Sequence, residues 1–139
     1  MGVKWKLIPV SILLGTLLGY CLLYINSLIF EQLIWLLAML SWSAFTAWFL
    51  DKLWFWNGVV GAFFMLFTET AIKIFNVALY LTRHKDLAQM FKAMPISFPK
   101  WLGIIALEAS KGLILCLLSG VFAAVAAAIL LEWKKRSAQ

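Results

Sequence analysis

The chain is poor in charge and in the residues that carry most enzyme chemistry. Of its 139 residues, 13% are charged, whereas soluble domains carry about 25%. Hydrophobic residues make up 65%, and the mean hydropathy is +0.96. A water-soluble globule of this size has no interior large enough for that many apolar side chains, and a disordered chain would be far more polar. The composition therefore predicts an integral membrane protein.

Histidine and cysteine are too scarce for most metal or redox sites. His84 is the only histidine, so a haem held by two histidines is excluded, and we expect His84 to be a solvated loop residue. Cys21 and Cys116 stand alone in apolar surroundings, as inert buried thiols do. The sequence contains no HExxH, GxSxG or P-loop motif. We therefore expect no cofactor, no metal and no catalytic residue.

The net charge of +6 does not indicate nucleic-acid binding. Basic residues collect at Lys4 and Lys6, between residues 83 and 100, and at residues 134–136, next to long apolar runs. Such clusters flank membrane spans. We expect membrane lipids as partners, together with other membrane proteins or further copies of the chain, and no nucleic acid.

Four apolar segments are long enough to cross about 30 Å of hydrocarbon as helices of about 20 residues. They lie at residues 5–29, 32–50, 53–82 and 99–131. In the longest connection, residues 85–94 place Leu87, Met90, Phe91 and Met94 on one helical face. The predicted fold is therefore all-α: one membrane domain over residues 1–139, a four-helix bundle with a short amphipathic surface helix between the third and fourth spans.

The distribution of basic residues favours cytoplasmic ends. Six lysines and arginines would share one side with both termini, and four would lie on the other side. The sequence shows no organelle-targeting segment, which favours a bacterial-type cytoplasmic membrane. We expect both termini in the cytoplasm and the third connection outside.

Four charged residues interrupt the apolar spans. Glu69 and Lys73 lie in the third span, Glu108 and Lys111 in the fourth. One charge at the centre of a bilayer costs about 2.5–3.5 kcal/mol on insertion scales, so unpaired charges are unexpected there. In antiparallel helices, a single register would pair Lys73 with Glu108 and Glu69 with Lys111. We therefore predict a four-membered charge network.

Three further polar residues, Asn76, Tyr80 and Arg83, extend the row of Glu69 and Lys73 along the third span. One interpretation is a face that packs against the fourth span and neutralises itself. The other is a hydrophilic path, or a site for an ion or a lipid headgroup, open to the outer side. Complementary charges within reach of each other favour the first interpretation.

Small residues recur at every fourth position in two spans. The row in the fourth span consists of Gly112, Cys116, Gly120, Ala124 and Ala128, and that in the first of Ser11, Gly15 and Gly19. Such rows let helix backbones approach closely in lipid. We predict that the first and fourth spans cross at these rows, or that one row forms a dimer contact.

On the second span, Trp35, Trp42 and Phe49 indicate a stripe facing lipid or a partner, with a platform for a lipid or carotenoid as the alternative.

These patterns favour a non-enzymatic membrane subunit or assembly factor that acts through close helix packing. The first alternative is a small homo-oligomeric transporter or channel whose polar path is the intramembrane Glu/Lys cluster. The second is a membrane enzyme that acts on lipid headgroups through Tyr80, Arg83 and Glu108.

Overall fold

The computed structural model describes residues 4–50, 52–95 and 97–139, and the regular secondary structure of this part of the chain is helical. A 3₁₀ turn, Trp5–Leu7, leads into the first helix. The helices are α1 (Ile8–Leu23), α2 (Leu28–Phe49), α3 (Trp54–Phe75), α4 (Val77–Arg83), α5 (Lys85–Lys92) and α6 (Lys100–Ser137). Within the described residues, four segments are long and apolar enough to span a membrane: Trp5–Leu23, Leu28–Phe49, Trp54–Phe75 and Lys100–Ser137. The predicted class, four candidate spans with short helices between the third and fourth, is confirmed.

The bounds of two spans differ from the prediction in ways that matter for the site. Helix α2 begins at Leu28, not at residue 32, so Glu31 lies in its first turn and not in a connection. The predicted third span, 53–82, is two helices, because Asn76 leaves the helical region at φ −117° and ψ 33°. Its side-chain amide donates to the carbonyl of Ile72, which caps α3. The chain therefore turns at Asn76 before α4 begins.

The other two spans differ at their ends. The first span ends at Leu23, whereas the prediction extended it to residue 29. Helix α6 covers 38 residues, Lys100–Ser137, and so is roughly 57 Å long at 1.5 Å per residue. It is longer than a bilayer core is thick, so part of α6 continues beyond the hydrocarbon.

Helix α3 is the central helix of the bundle, because both small-residue rows pack against it. A Cβ atom added to Gly15 of α1 would lie 2.6 Å from the backbone oxygen of Met65. On the other side of α3, a Cβ atom at Gly120 of α6 would lie 2.6 Å from Val59. The predicted crossing of the first and fourth spans is thus replaced by two separate contacts with the third span.

The row on α6 turns away from this contact along its length. Gly112, Cys116 and Gly120 are buried, Ala124 is half-buried and Ala128 is exposed. A strict four-residue spacing drifts by about 40° per step around an α-helix, since 3.6 residues make one turn. Packing therefore passes to the adjacent row of small residues, in which Ser119, Ala123 and Ala127 are buried.

The aromatic stripe on α2 was assigned to the wrong environment. Trp35 and Trp42 are buried and pack with Leu18, Leu22 and Met65 in the core, whereas Phe49 is exposed. The indole of Trp42 fits against α3 because the neighbouring residue of α3 is Gly61, which has no side chain. Large aromatic groups thus fill the space that the glycines leave.

Helices α4 and α5 close one end of the bundle, and we refer to them together as the cap. Helix α5 confirms a short amphipathic helix within 85–94, and Leu87 on its apolar face is buried. The ring of Phe91 lies against Gly103 of α6. Tyr80 and Leu81 of α4 are buried in the same apolar cluster as Leu87. The cap therefore covers the ends of α2, α3 and α6.

Candidate functional site

Five charged residues meet beneath the cap, and we call them the charge cluster: Glu31, Glu69, Lys73, Glu108 and Lys111. They come from three of the four spans, and Tyr80 and His84 of the cap lie against them. All except Lys111 are buried, and the Lys111 side chain is 12% exposed. Burial of this many ionisable groups requires close pairing, since each isolated charge would be strongly unfavourable in an apolar surrounding.

The Lys73 ammonium is the centre of the cluster. It donates hydrogen bonds to Glu31 and to Glu108, the latter at 2.8 Å from Nζ to Oε1. It also contacts Glu69, one turn earlier on the same helix. The ammonium therefore hydrogen-bonds two of the three carboxylates and pairs by charge with the third. The predicted pairing of Lys73 with Glu108 is present in the structure.

Glu31 accepts more contacts than any other carboxylate of the cluster. Its Oε1 lies 3.2 Å from Lys111 Nζ and also accepts from Lys73. Its Oε2 accepts a hydrogen bond of 3.0 Å from the Tyr80 hydroxyl and lies 3.2 Å from Nε2 of His84. Glu31 therefore joins α2 to α3, α6 and the cap.

Lys111 does not pair with Glu69 as the register predicted. Its ammonium lies 2.9 Å from Oε2 of Glu108, one turn away on α6, and reaches across to Glu31. The pairing changes because Glu31, which the sequence analysis placed in a connection, offers Lys111 a closer carboxylate. Glu69 is left with the ion-pair contact to Lys73, and neither of its carboxylate oxygens receives a hydrogen bond from residues 4–50, 52–95 or 97–139.

The polar stripe on the third span does not continue along one face. Tyr80 contacts the cluster, but Asn76 bonds its own helix and Arg83 is exposed near the ring of Tyr24. The helix is interrupted at Asn76, so a spacing rule that holds within one helix does not hold beyond it. Within the described residues Arg83 makes no ion pair with Glu108, so the trio proposed for a headgroup enzyme is not brought together.

His84 is buried, contrary to the expectation of a solvated loop residue. It is 1% exposed, and its ring lies against the ring of Tyr80 at 4.2 Å between centroids. Its position between α4 and α5 places it under the cap and not on the surface of a loop. His84 also marks the boundary between α4 and α5. Its backbone N–H donates to the carbonyl of Tyr80 at the end of α4, and its carbonyl accepts from the N–H of Ala88 in the first turn of α5.

The roles of Glu31 and His84 were not predicted from the sequence, although one signal points to Glu31. Glu31 precedes Trp35 by four residues, so it lies on the same face of α2 as the buried indole. For His84 the sequence offers no comparable signal, because its burial depends on the chain turning at Asn76.

The three carboxylates have the spacing of a cation site, with oxygens of Glu31, Glu69 and Glu108 within 4.8 Å of one another. Lys73 supplies the positive charge there, because its ammonium contacts all three. The arrangement is thus an internal ion pair network, and the carboxylates by themselves do not make a metal site.

Two grooves lead to the cluster from opposite sides of α6. A groove of about 340 Å³ between α2 and α6 reaches Glu31 and Lys111, with Gln32 and Ser110 beside them. A more apolar groove of about 410 Å³ between α3 and α6 reaches Glu108. A third groove, of about 550 Å³, separates α1 from α2 and ends on Trp42 and Met65, away from the cluster.

The fold and the site define an all-helical integral membrane protein with a buried ionic cluster under one end of its bundle. Comparisons of the chain with protein-family models, curated proteins and solved structures found no match.

Proposed function

We propose that the protein is a non-enzymatic subunit or accessory factor of a membrane complex. The observation that best supports this function is that the charged groups of the cluster pair with one another inside the bundle. Each of its carboxylates contacts a lysine of the same chain, and its partners hold α2, α3, α6 and the cap together. Such a cluster fixes the relative positions of helices. The protein then presents a rigid apolar surface to its surroundings.

The exposed surface of the spans supports contact with lipid or with other helices. Large apolar side chains point outward from every span, among them Leu13, Leu37, Phe67 and Leu113. The groove between α1 and α2 is long, apolar and open, and its wall includes the small residues Ala38 and Ser41. Small residues in a groove allow a further helix to approach closely. We assign this groove to a helix of the partner.

Native mass spectrometry of the tagged protein, extracted gently from its own membrane, tests the proposal. We expect a second protein bound at fixed stoichiometry, and Ala38→Leu to reduce the bound fraction because it fills the groove. Ala106→Leu is the matched control, because Ala106 is exposed on α6 away from the grooves described. A wild-type protein found alone, or equal losses in both variants, would contradict the proposal.

A second candidate, a small transporter, is favoured by one specific observation. The cluster holds three carboxylates but only two lysines, so its pairs do not balance. Ionisable groups inside a membrane mark transport paths by default. In this alternative, the groove between α2 and α6 gives access to Glu31 and Lys111. A homo-oligomer whose ion flux survives Glu69→Gln and Glu108→Gln would dispose of it.

We infer from the distribution of basic residues that both termini face the cytoplasm of a bacterial-type cell, which places the cap and the cluster near the outer face. Single cysteines at Gln89 and at Gln139, in a chain without Cys21 and Cys116, test this orientation. We expect a membrane-impermeant thiol reagent, applied to intact cells, to label only the cysteine at position 89. Labelling of both, or of 139 alone, would overturn it.

A further inference from the structure

The charge cluster lacks one positive charge. Glu31, Glu69 and Glu108 supply three carboxylates, and Lys73 and Lys111 supply two ammonium groups. A net negative charge enclosed by apolar helices is costly, because nothing replaces the water that would solvate it. A further positive charge close to the carboxylates would remove this cost.

His84 is placed to supply that charge. Its Nδ1 lies 3.0 Å from the carbonyl oxygen of Tyr80. A carbonyl oxygen only accepts, so Nδ1 must carry a proton and donate it. The other ring nitrogen, Nε2, is buried, receives or donates no hydrogen bond within the described residues, and lies 3.2 Å from Oε2 of Glu31. If Nε2 had no proton, its lone pair would lie next to a carboxylate oxygen with no cation between them.

We propose that the cluster is a proton-binding site, in which one proton taken from water is held on Nε2 of His84, in ion-pair contact with Oε2 of Glu31. The histidine is then an imidazolium with both ring nitrogens protonated. Three carboxylates now meet three cations, so the enclosed charge is zero. The ligand is a proton and the binding pair is Glu31 with His84.

The proton resides on the histidine and not on Glu31. The carboxylate of Glu31 already accepts hydrogen bonds from Lys73, Lys111 and the Tyr80 hydroxyl, and these donors stabilise its ionised form. The titratable and charged groups around His84 are Tyr80 of α4, Lys85 and Asp86 of α5, Glu31 of α2, and beyond Glu31 the other members of the cluster. Glu31 is the carboxylate in direct contact with its ring.

The bound proton attaches the cap to α2. Without this proton, two acceptors would lie next to each other, and the contact between α2 and the junction of α4 with α5 would be lost. Loss of the proton therefore favours an uncapped state in which the cluster is open to water. This inference does not depend on which partner or substrate the protein has.

Nitrogen-15 NMR of histidine-labelled full-length protein in lipid nanodiscs measures the charge directly. Because His84 is the only histidine, the spectrum reports one ring without assignment. Near neutral pH we expect two protonated ring nitrogens. A ring in the wild-type protein with a single protonated nitrogen would overturn the proposal, whichever nitrogen carries it.

Glu31→Gln tests the origin of the proton, because an amide removes the negative charge but keeps the shape. We expect its ring to be neutral, with the proton only on Nδ1, under the conditions in which the wild-type ring is charged. Glu132→Gln is the matched control, since Glu132 is exposed and pairs with Arg136 at the far end of α6. A charged ring in Glu31→Gln would overturn the role of Glu31. If this variant does not fold, the wild-type spectrum still decides the proposal.

Discussion

At the level of single residues, Lys73 is the lysine of the cluster that contacts the most carboxylates. Its ammonium is fully buried and contacts three carboxylates from three helices. Removing one partner of a buried ionic group costs more than the pair itself contributes, because the remaining charge stays desolvated. We therefore expect a substitution that removes the charge of Lys73 but keeps its shape to lower the free energy of unfolding more than such a substitution elsewhere in the cluster.

Lys73→Met removes this ammonium and keeps much of the apolar side chain. We expect the free energy of unfolding to fall by about 3–5 kcal/mol, the usual effect of leaving a buried charge without its partner. Lys135→Met serves as the control, since Lys135 is exposed near the end of α6. Equilibrium unfolding in lipid-detergent mixtures measures both variants, and equal stability of the two would contradict the central position of Lys73.

The hydroxyl of Tyr80 contributes to the stability of the bundle independently of Lys73, because it donates a hydrogen bond of 3.0 Å to Glu31. Tyr80→Phe removes one hydrogen bond to a charged group, so we expect a loss of about 1.5–3 kcal/mol in the free energy of unfolding. Tyr20→Phe provides the comparison, because Tyr20 is exposed on α1. The hydrogen bond has no measurable role if both variants unfold at the wild-type denaturant concentration.

Part of the cluster could be predicted from residue spacing. Glu69, Lys73, Glu108 and Lys111 stand out because charges are rare inside apolar helices, and antiparallel neighbours constrain their pairing. Glu31 was not predicted because the predicted start of α2 is four residues too late. His84 was not predicted because the interruption of the helix at Asn76 was not predicted. Helix ends and turns depend on tertiary contacts, so a residue near an end is the most difficult to place from sequence.

At the scale of elements, the glycines of α1, α3 and α6 determine which helices touch. Gly58 of α3 lies against Ser119 and Gly120 of α6, and Gly15 of α1 lies against the backbone at Met65. These contacts are between backbones, so no rotamer change can make space for a larger side chain. Periodicity correctly identified the small rows, but it could not identify α3 as their common partner, because small residues fit any close helix.

Gly120→Ile is expected to disrupt the contact between α6 and α3. A Cβ atom alone would lie 2.6 Å from Val59 and 2.9 Å from the carbonyl oxygen of Phe55, so the helices must separate. The neighbouring change Val121→Ile adds one methylene to an exposed position and should leave the bundle intact. Thermal unfolding followed by tryptophan fluorescence compares them. A Gly120→Ile protein as stable as Val121→Ile would show that α3 and α6 do not approach closely there.

At the scale of the whole molecule, the four spans divide into an apolar end and an ionic end. Leu18, Leu22, Trp35, Trp42 and Met65 form an apolar core beside the cluster, and the cap covers the cluster from the other side. The overall class was predictable because length and hydropathy constrain membrane helices strongly. The position of the cap was not, since it depends on contacts such as that of Phe91 with Gly103.

The ionic end connects α2, α3, α6 and the cap through the contact between Glu31 and Lys73. A double-mutant cycle measures this contact, with free energies of unfolding determined for wild type, Glu31→Gln, Lys73→Met and the double variant. We predict that the double variant loses less stability than the sum of the single losses, with a coupling of about 0.5–3 kcal/mol. Losses that add without coupling would contradict a direct contact between Glu31 and Lys73.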